Sequence, residues 1–306
     1  MDNAETVHRF GFDAIGTNWQ IETDEPLSRG LRHDVLDRIE RFDATYSRFR
    51  SDSLVSRIAA ATDGGRFEFP DDSLALFGLY DSLHAATNGA VDPLVGRDLE
   101  LLGYDATYTL RPAPEAVRAA ERARGRPTWA ADVSRDGRSV VTQRALVIDV
   151  GAVGKGYLVD LVLEQLREAG HTGFVVDGSG DLRHSGPRAT RVGLEHPFDR
   201  RQVIGVAEVR DQALCASGVG RRSWGDGLHH VLDARTGIPV EKVVATWVVA
   251  QEAALADGLA TALFFTEPQR LAESFDFTYV RVRSDGRAEL SPDFPGDRIT
   301  GMGFDR

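Results

Sequence analysis

The chain has 306 residues, 42% hydrophobic and 27% charged, and a formal net charge of −11. Such values belong to a globular protein able to bury a large core, and they exclude a disordered one. The negative balance argues against nucleic acid or an anionic membrane surface as partner. A phosphate-bearing ligand would need local compensation, such as a divalent cation held by carboxylates.

Cys215 is the single cysteine, so no intrachain disulfide forms, and Ala213 to Ala216 reads as buried strand with Cys215 as core filler. MDNAETVHRF lacks the basic and apolar regions of a signal peptide, and no run is long enough to span a bilayer. A cytoplasmic setting is expected.

Residues 7–23 alternate as a strand interrupted at Gly16, with Phe10, Phe12, Ala14, Thr17, Trp19 and Ile21. Leu31, Val35, Ile39 and Phe42 fall at helical spacing between Pro26 and Tyr46. Ser47 to Ser53 is too polar for core, and Ser53 can cap a turn over Leu54 to Ala61. Asp71 to Thr87 reads as a helix burying Leu74, Phe77, Leu79, Tyr80 and Leu83, ended by Asn88-Gly89. In the following Ala90-Val91-Asp92-Pro93, the proline holds Asp92 extended, either to aim its carboxylate or to cap the next turn.

Residues 111–139, rich in Arg, Pro and Gly, hold one helix near Glu115 to Arg124 and mark an insertion or lobe boundary. Ala145 to Val150 then reads as a strand, Gly156 to Ala169 as a helix stopped by Gly170, and Gly173 to Val176 as a strand. That is a βαβ-like unit. The glycines in Asp149-Val-Gly-Ala-Val-Gly-Lys155-Gly-Tyr157 suit a phosphate-binding turn, although the spacing is not that of a Walker loop. Asp177-Gly-Ser-Gly-Asp181 is a second glycine-rich turn, fit for an anion or merely for a hairpin.

The second half is rich in strands: Val192 to Leu194, Val203 to Val209, Ala213 to Ala216, His229 to Leu232, Val243 to Ala250, and Phe277 to Val282 with the closing segment. Glu252 to Phe265 is a helix, apolar almost all round, that places Asp257 and Thr261 one turn apart on one face. Two short oxygen ligands joined by a backbone carbonyl suit Mg²⁺. The alternative is that Thr261 bonds a carbonyl one turn back and Asp257 pairs with an arginine, which spacing alone favours. Strand alternation sends His229 and His230 to opposite faces, so one of them can reach a cleft as a base, although a lone histidine is more often structural. Zinc spacing and a serine-hydrolase elbow are both absent.

Taken together, Ser47-Arg48-Phe49 with Ser53, Asp92-Pro93, Asp149 to Tyr157 with Asp160, Ser217-Gly218, His230 to Pro239, and Ala256 to Ala262 resemble the ApbE family of flavin transferases along nearly the whole chain. The resemblance implies a single domain over 1–306 of α+β class: two lobes of mixed and antiparallel sheet with packed helices, and FAD in the cleft between them. It implies Mg²⁺ held by the Ala152 carbonyl, Asp257 and Thr261. Phe49, Ala90, Val91, Asp92, Asp149, Lys155, Ser217, Gly218 and Val231 would face the flavin nucleotide, and His230 would be the base. Family members move FMN from FAD to a Thr or Ser hydroxyl of an acceptor flavoprotein and release AMP. The chain departs from the family pattern at Ala59, Leu94, Ser179 and Ala216, where many members have Asn, Thr, Gly and Thr respectively. The departures at Ala59 and Ala216 keep two alternatives open: an FAD pyrophosphatase giving FMN and AMP, and a non-catalytic FAD-binding protein.

Overall fold

The alternating segment at the start forms a hairpin, β1 (His8–Ala14) and β2 (Thr17–Thr23), with Phe12 opposite Trp19. Ile15 and Gly16 turn the chain at φ 43° and 73°. This computed structural model describes residues 7–297 and the backbone of 303–304. Within them the hairpin is one edge of a nine-stranded sheet. The sheet continues through β3 (Phe174–Asp177), β4 (Asp181–Ser185), β5 (Ala213–Gly218), β6 (Val243–Ala250), β7 (Thr278–Arg283), β8 (Arg287–Leu290) and β9 (Gly303–Phe304). These strands stand side by side in chain order, each antiparallel to the last except the parallel pair β8 and β9.

Both sheet faces are covered, which alternation along β6 makes plain. Val248 and Ala250 join the main core, which also holds Val35 and Ile39 of α1 (Arg29–Tyr46), Phe77 and Leu83 of α2 (Ser73–Ala86), Leu158 and Val162 of α3 (Gly154–Glu168), and Leu259 of α4 (Ala253–Ala262). Ala245, Trp247 and Val249 enter a second core with Leu194, Ile204 and Val209 of the Thr190–Glu195 and Val203–Val209 hairpin. Removing such side chains from water contributes about 1.5–3 kcal/mol each. The architecture is α+β, as expected.

Several elements differ from their expected form. Ala145 to Val150 pairs with no strand, so there is no βαβ unit. Leu146, Ile148 and Val150 do point inward. Alternation supplies a buried face but no ladder partner, and the Asp149 amide donates instead to the Pro93 carbonyl at 2.7 Å. His229 to Leu232 splits into Leu228–His229 and Leu232–Asp233, paired with Ser223–Trp224 and Ile238–Pro239 respectively. The first helix starts at Arg29 rather than Pro26, because Ser28 caps it by accepting from the Leu31 amide at 3.1 Å. Leu74 is 50% exposed, on the outer side of α2.

The expected boundary region holds the Glu115–Arg124 helix, which buries no residue, and the strands Val133–Asp136 and Ser139–Thr142. Ser139–Thr142 is the middle strand, pairing with Val133–Asp136 on one side and Gly65–Glu68 on the other, a small sheet that the sequence pattern did not reveal. Expected closing strands beyond β8 fall partly on residues 298–302 and 305–306, outside the described residues.

Candidate functional site

The helices α3 and α4 cross where Gly156 leaves no side chain between them. A Cβ there would lie 2.2 Å from the Ala253 carbonyl oxygen and 2.7 Å from Asp257 Cβ. At that crossing each helix supplies the carboxylate that caps the other. Asp257 of α4 accepts the Gly156 amide at 2.9 Å, in the first turn of α3. Asp160 of α3 accepts the Ala253 and Ala254 amides at 3.0 and 2.8 Å, at the start of α4, and is held by Arg183 at 2.6 Å. Orphan amides of both helices are thereby satisfied. Gly156 thus serves the packing of the two helices.

A cavity of about 620 Å³ opens beside this crossing. Every residue assigned to a site above lines it: Ala152, Asp257 and Thr261 for a metal, His230 as base, and Phe49, Ala90, Val91, Asp92, Asp149, Lys155, Ser217, Gly218 and Val231 for the nucleotide. Of the four departures, Ser179 and Ala216 also line it. Leu94 is a buried core residue, and Ala59 sits on the Leu54–Ala60 helix away from the cavity wall.

At the charged end, Asp257 is 4% exposed, and burial with the nearby charge of Asp181 pushes its carboxyl well above the carboxylate range. Asp257 takes a backbone amide rather than the arginine of the structural alternative. A buried carboxylate in this state gains from a cation. The donors available, a carboxylate, a hydroxyl and a carbonyl, are all hard oxygens and fit Mg²⁺. Among the described residues no three His, Cys, Asp or Glu side chains converge as a metal cluster.

Lys155 lies 2.8 Å from Asp181 Oδ2 and donates to the Ser179 carbonyl at 3.3 Å. Burial opposes its charge, yet Asp181 and Asp257 hold its pKa above the ordinary lysine value. Ser179 sits at φ 68°, a conformation that glycine adopts without strain, so the serine at this turn is held against its preference.

The Asp149 carboxylate is anchored at both oxygens, by Arg48 Nε at 2.5 Å and by the Gly151 amide at 2.7 Å. Burial acts against its charge, but Arg48 keeps its pKa below the carboxylate range. Arg48, in a segment read as too polar for core, is buried against the rings of Phe49 and Tyr104, 4.2 and 5.1 Å from their centroids. Asp92 proves to be a cap: its carboxylate accepts the Leu94 and Trp129 amides and lies 3.1 Å from His84 Nδ1.

His230 and His229 part company as alternation requires, although the strand breaks between them. His229 turns into the fold, where its Nε2–H donates to the Val240 carbonyl at 2.9 Å and its Nδ1 accepts the Val231 amide. His230 faces the cavity with Nδ1 buried and unpartnered among the described residues. Burial and the neighbouring Arg222 push its pKa down to about 4, so the imidazole is neutral at neutral pH.

Sequence reasoning assigned no role to Asp181, Tyr104, Tyr108 or Arg222, all of which line the cavity. Their positions in loops and at a strand start carry no periodic signal. Only the pairing of acidic Asp181 with Lys155 across two glycine-rich turns offered a hint.

The ApbE family model matches residues 15–279. The chain belongs to the ApbE family. An ApbE relative from Klebsiella pneumoniae (strain 342), named FAD:protein FMN transferase, is 26% identical over 272 residues, covering 84% of this chain and 77% of the relative. A Vibrio cholerae protein of the same name is 28% identical over 283 residues, covering 87% and 83%. The crystal structure of the ApbE protein from Thermotoga maritima superimposes with a TM-score of 0.81 at 25% identity, covering 94% of this chain and 97% of that one. Among the described residues no helix is long and apolar enough to cross a membrane.

Proposed function

We propose that this ApbE chain is an FAD:protein FMN transferase that moves FMN from FAD to a Thr or Ser hydroxyl of an acceptor flavoprotein and releases AMP. One observation carries the reading: a single cavity joins the buried Asp257 carboxylate and the Thr261 hydroxyl of α4, the Asp149 to Lys155 turn and the unpartnered Nδ1 of His230. Phosphoryl transfer asks for alignment and charge neutralisation, with little covalent help from the protein.

In this reading FAD lies along the cavity with its pyrophosphate at the charged end. Asp257, Thr261 and the Ala152 carbonyl would hold Mg²⁺, which when bound would neutralise phosphate charge and stabilise the departing AMP. Lys155, fixed by Asp181, adds a positive charge at the same end. His230 takes the proton from the acceptor hydroxyl as its oxygen bonds to the phosphorus of the FMN half. The bond from that phosphorus to the bridging oxygen breaks, and AMP carries the oxygen away. Asp149 and its Arg48 partner keep the turn that presents Ala152 in place.

A second reading follows from Ala216, which gives the cavity wall a methyl group where many relatives place a hydroxyl. Water in place of the acceptor would hydrolyse FAD to FMN and AMP. The deciding experiment incubates the protein with FAD, Mg²⁺ and a threonine-containing acceptor domain. Transfer makes the acceptor flavin-fluorescent on a denaturing gel with stoichiometric AMP. AMP without labelling supports hydrolysis, and intact FAD after hours of incubation supports binding without turnover.

A further inference from the structure

We propose that Tyr108 is a flavin-binding residue, the outer member of an aromatic shelf on which the isoalloxazine ring stacks. This rests on the flavin reading above and extends it to a residue outside every motif that supports it. Tyr108 lines the cavity while remaining 51% exposed, an unusual state for so large a ring. Its ring lies parallel to that of Phe49, with centroids 5.1 Å apart and planes at 11°. Tyr104 meets both rings edge-on, each at 5.5 Å.

The backbone holds Tyr108 there at a cost. Tyr108 and Leu110 adopt φ of 52° and 51°, and an L-residue in that region loses about 1 kcal/mol or more. Asp105 compensates by accepting the amides of Thr107 and Thr109 and both of their hydroxyls. The Leu110 amide closes the loop on the Gly103 carbonyl at 2.8 Å. A strained loop, locked by its own side chains and presenting a flat ring at a cavity mouth, is arranged for a flat ligand.

FAD carries two flat rings, and the position of His230 selects between them. Tyr104 lies 6.4 Å from the His230 ring. The reacting phosphorus belongs to the FMN half, so the ring beside the base is the isoalloxazine and not the adenine.

The test measures binding of FAD, FMN and ADP to the wild type, Tyr108→Ala and Tyr108→Phe, together with quenching of flavin fluorescence. Tyr108→Ala is expected to weaken FAD and FMN about five- to tenfold and to relieve quenching, with ADP affinity unchanged and Tyr108→Phe like wild type. Unchanged FAD and FMN binding in Tyr108→Ala overturns the proposal. So does equal loss for ADP, which marks a structural residue, and so does loss for ADP alone, which places adenine on the shelf. A wild-type protein that binds ADP but neither flavin overturns the flavin reading itself.

Discussion

Asp257 and Gly156, 101 residues apart, meet through a 2.9 Å hydrogen bond that caps α3 with a carboxylate from α4. The same carboxylate faces the cavity where a metal ion would sit. Under the proposed function, folding and chemistry therefore share one side chain, and the absent Cβ of Gly156 is what allows the approach. Gly156→Ala should cost about 1–3 kcal/mol through overpacking against the Ala253 carbonyl. Urea unfolding measures the loss, and FMN transfer should fall by more than the folded fraction accounts for, since Asp257 moves with α4.

The opposite cap can be tested separately. Asp160 pairs with Arg183 in a largely buried position, side chains 15% and 7% exposed. Removing one partner of such a pair costs about 3–5 kcal/mol. Asp160→Ala should therefore lower the unfolding free energy by about that amount. Asp160→Asn should lose less, because its amide oxygen can still accept one α4 amide. Thermal unfolding of the two variants side by side checks the order.

Arg48 is the only side chain hydrogen-bonded to the partly buried Asp149 carboxylate among the described residues. Arg48→Met should strand that carboxylate and destabilise the protein by about 3 kcal/mol, with Asp149→Asn restoring part of the loss in the double variant. The coupling energy from a double-mutant cycle reads the pair directly. Near additivity would contradict the assignment.

The pH profile of transfer should reflect the depressed pKa of His230. In the proposed mechanism the base is the neutral imidazole, present above its pKa and lost as pH falls through about 4. No inflection belonging to this histidine is expected near the ordinary value of 6.5. His230→Asn should reduce kcat by about 10²- to 10⁴-fold with little change in FAD affinity. The measurements are kcat against pH for the wild type and flavin binding by the variant.

Transfer should stop when a chelator removes divalent cations and return with added Mg²⁺. Asp257→Ala should abolish the recovery. Thr261→Ala should shift the Mg²⁺ concentration required upward, measured as the half-saturating concentration in the gel assay.

The sequence by itself determined what depends on neighbours along the chain. Helical spacing of Val35, Ile39 and Phe42 marks α1, Asn88-Gly89 ends α2, and Ser53 caps its short helix, because periodicity and capping are local physics. The ordered motifs likewise identified residues that the fold gathers around one cavity. Tertiary structure alone decided the rest. Ala145 to Val150 has a strand's composition and a buried face, yet it pairs with no strand among the described residues, and pairing is a long-range property. Arg48 reads as surface until Asp149, from a distant segment, arrives to neutralise it. Asp92 could aim or cap until the Trp129 amide took its second oxygen. Tyr108 shows no periodic signal, and its place beside Phe49 comes from a loop bent against its preferred φ. For Arg48, Asp92 and Tyr108 the partner lies too far along the chain for local spacing to announce it.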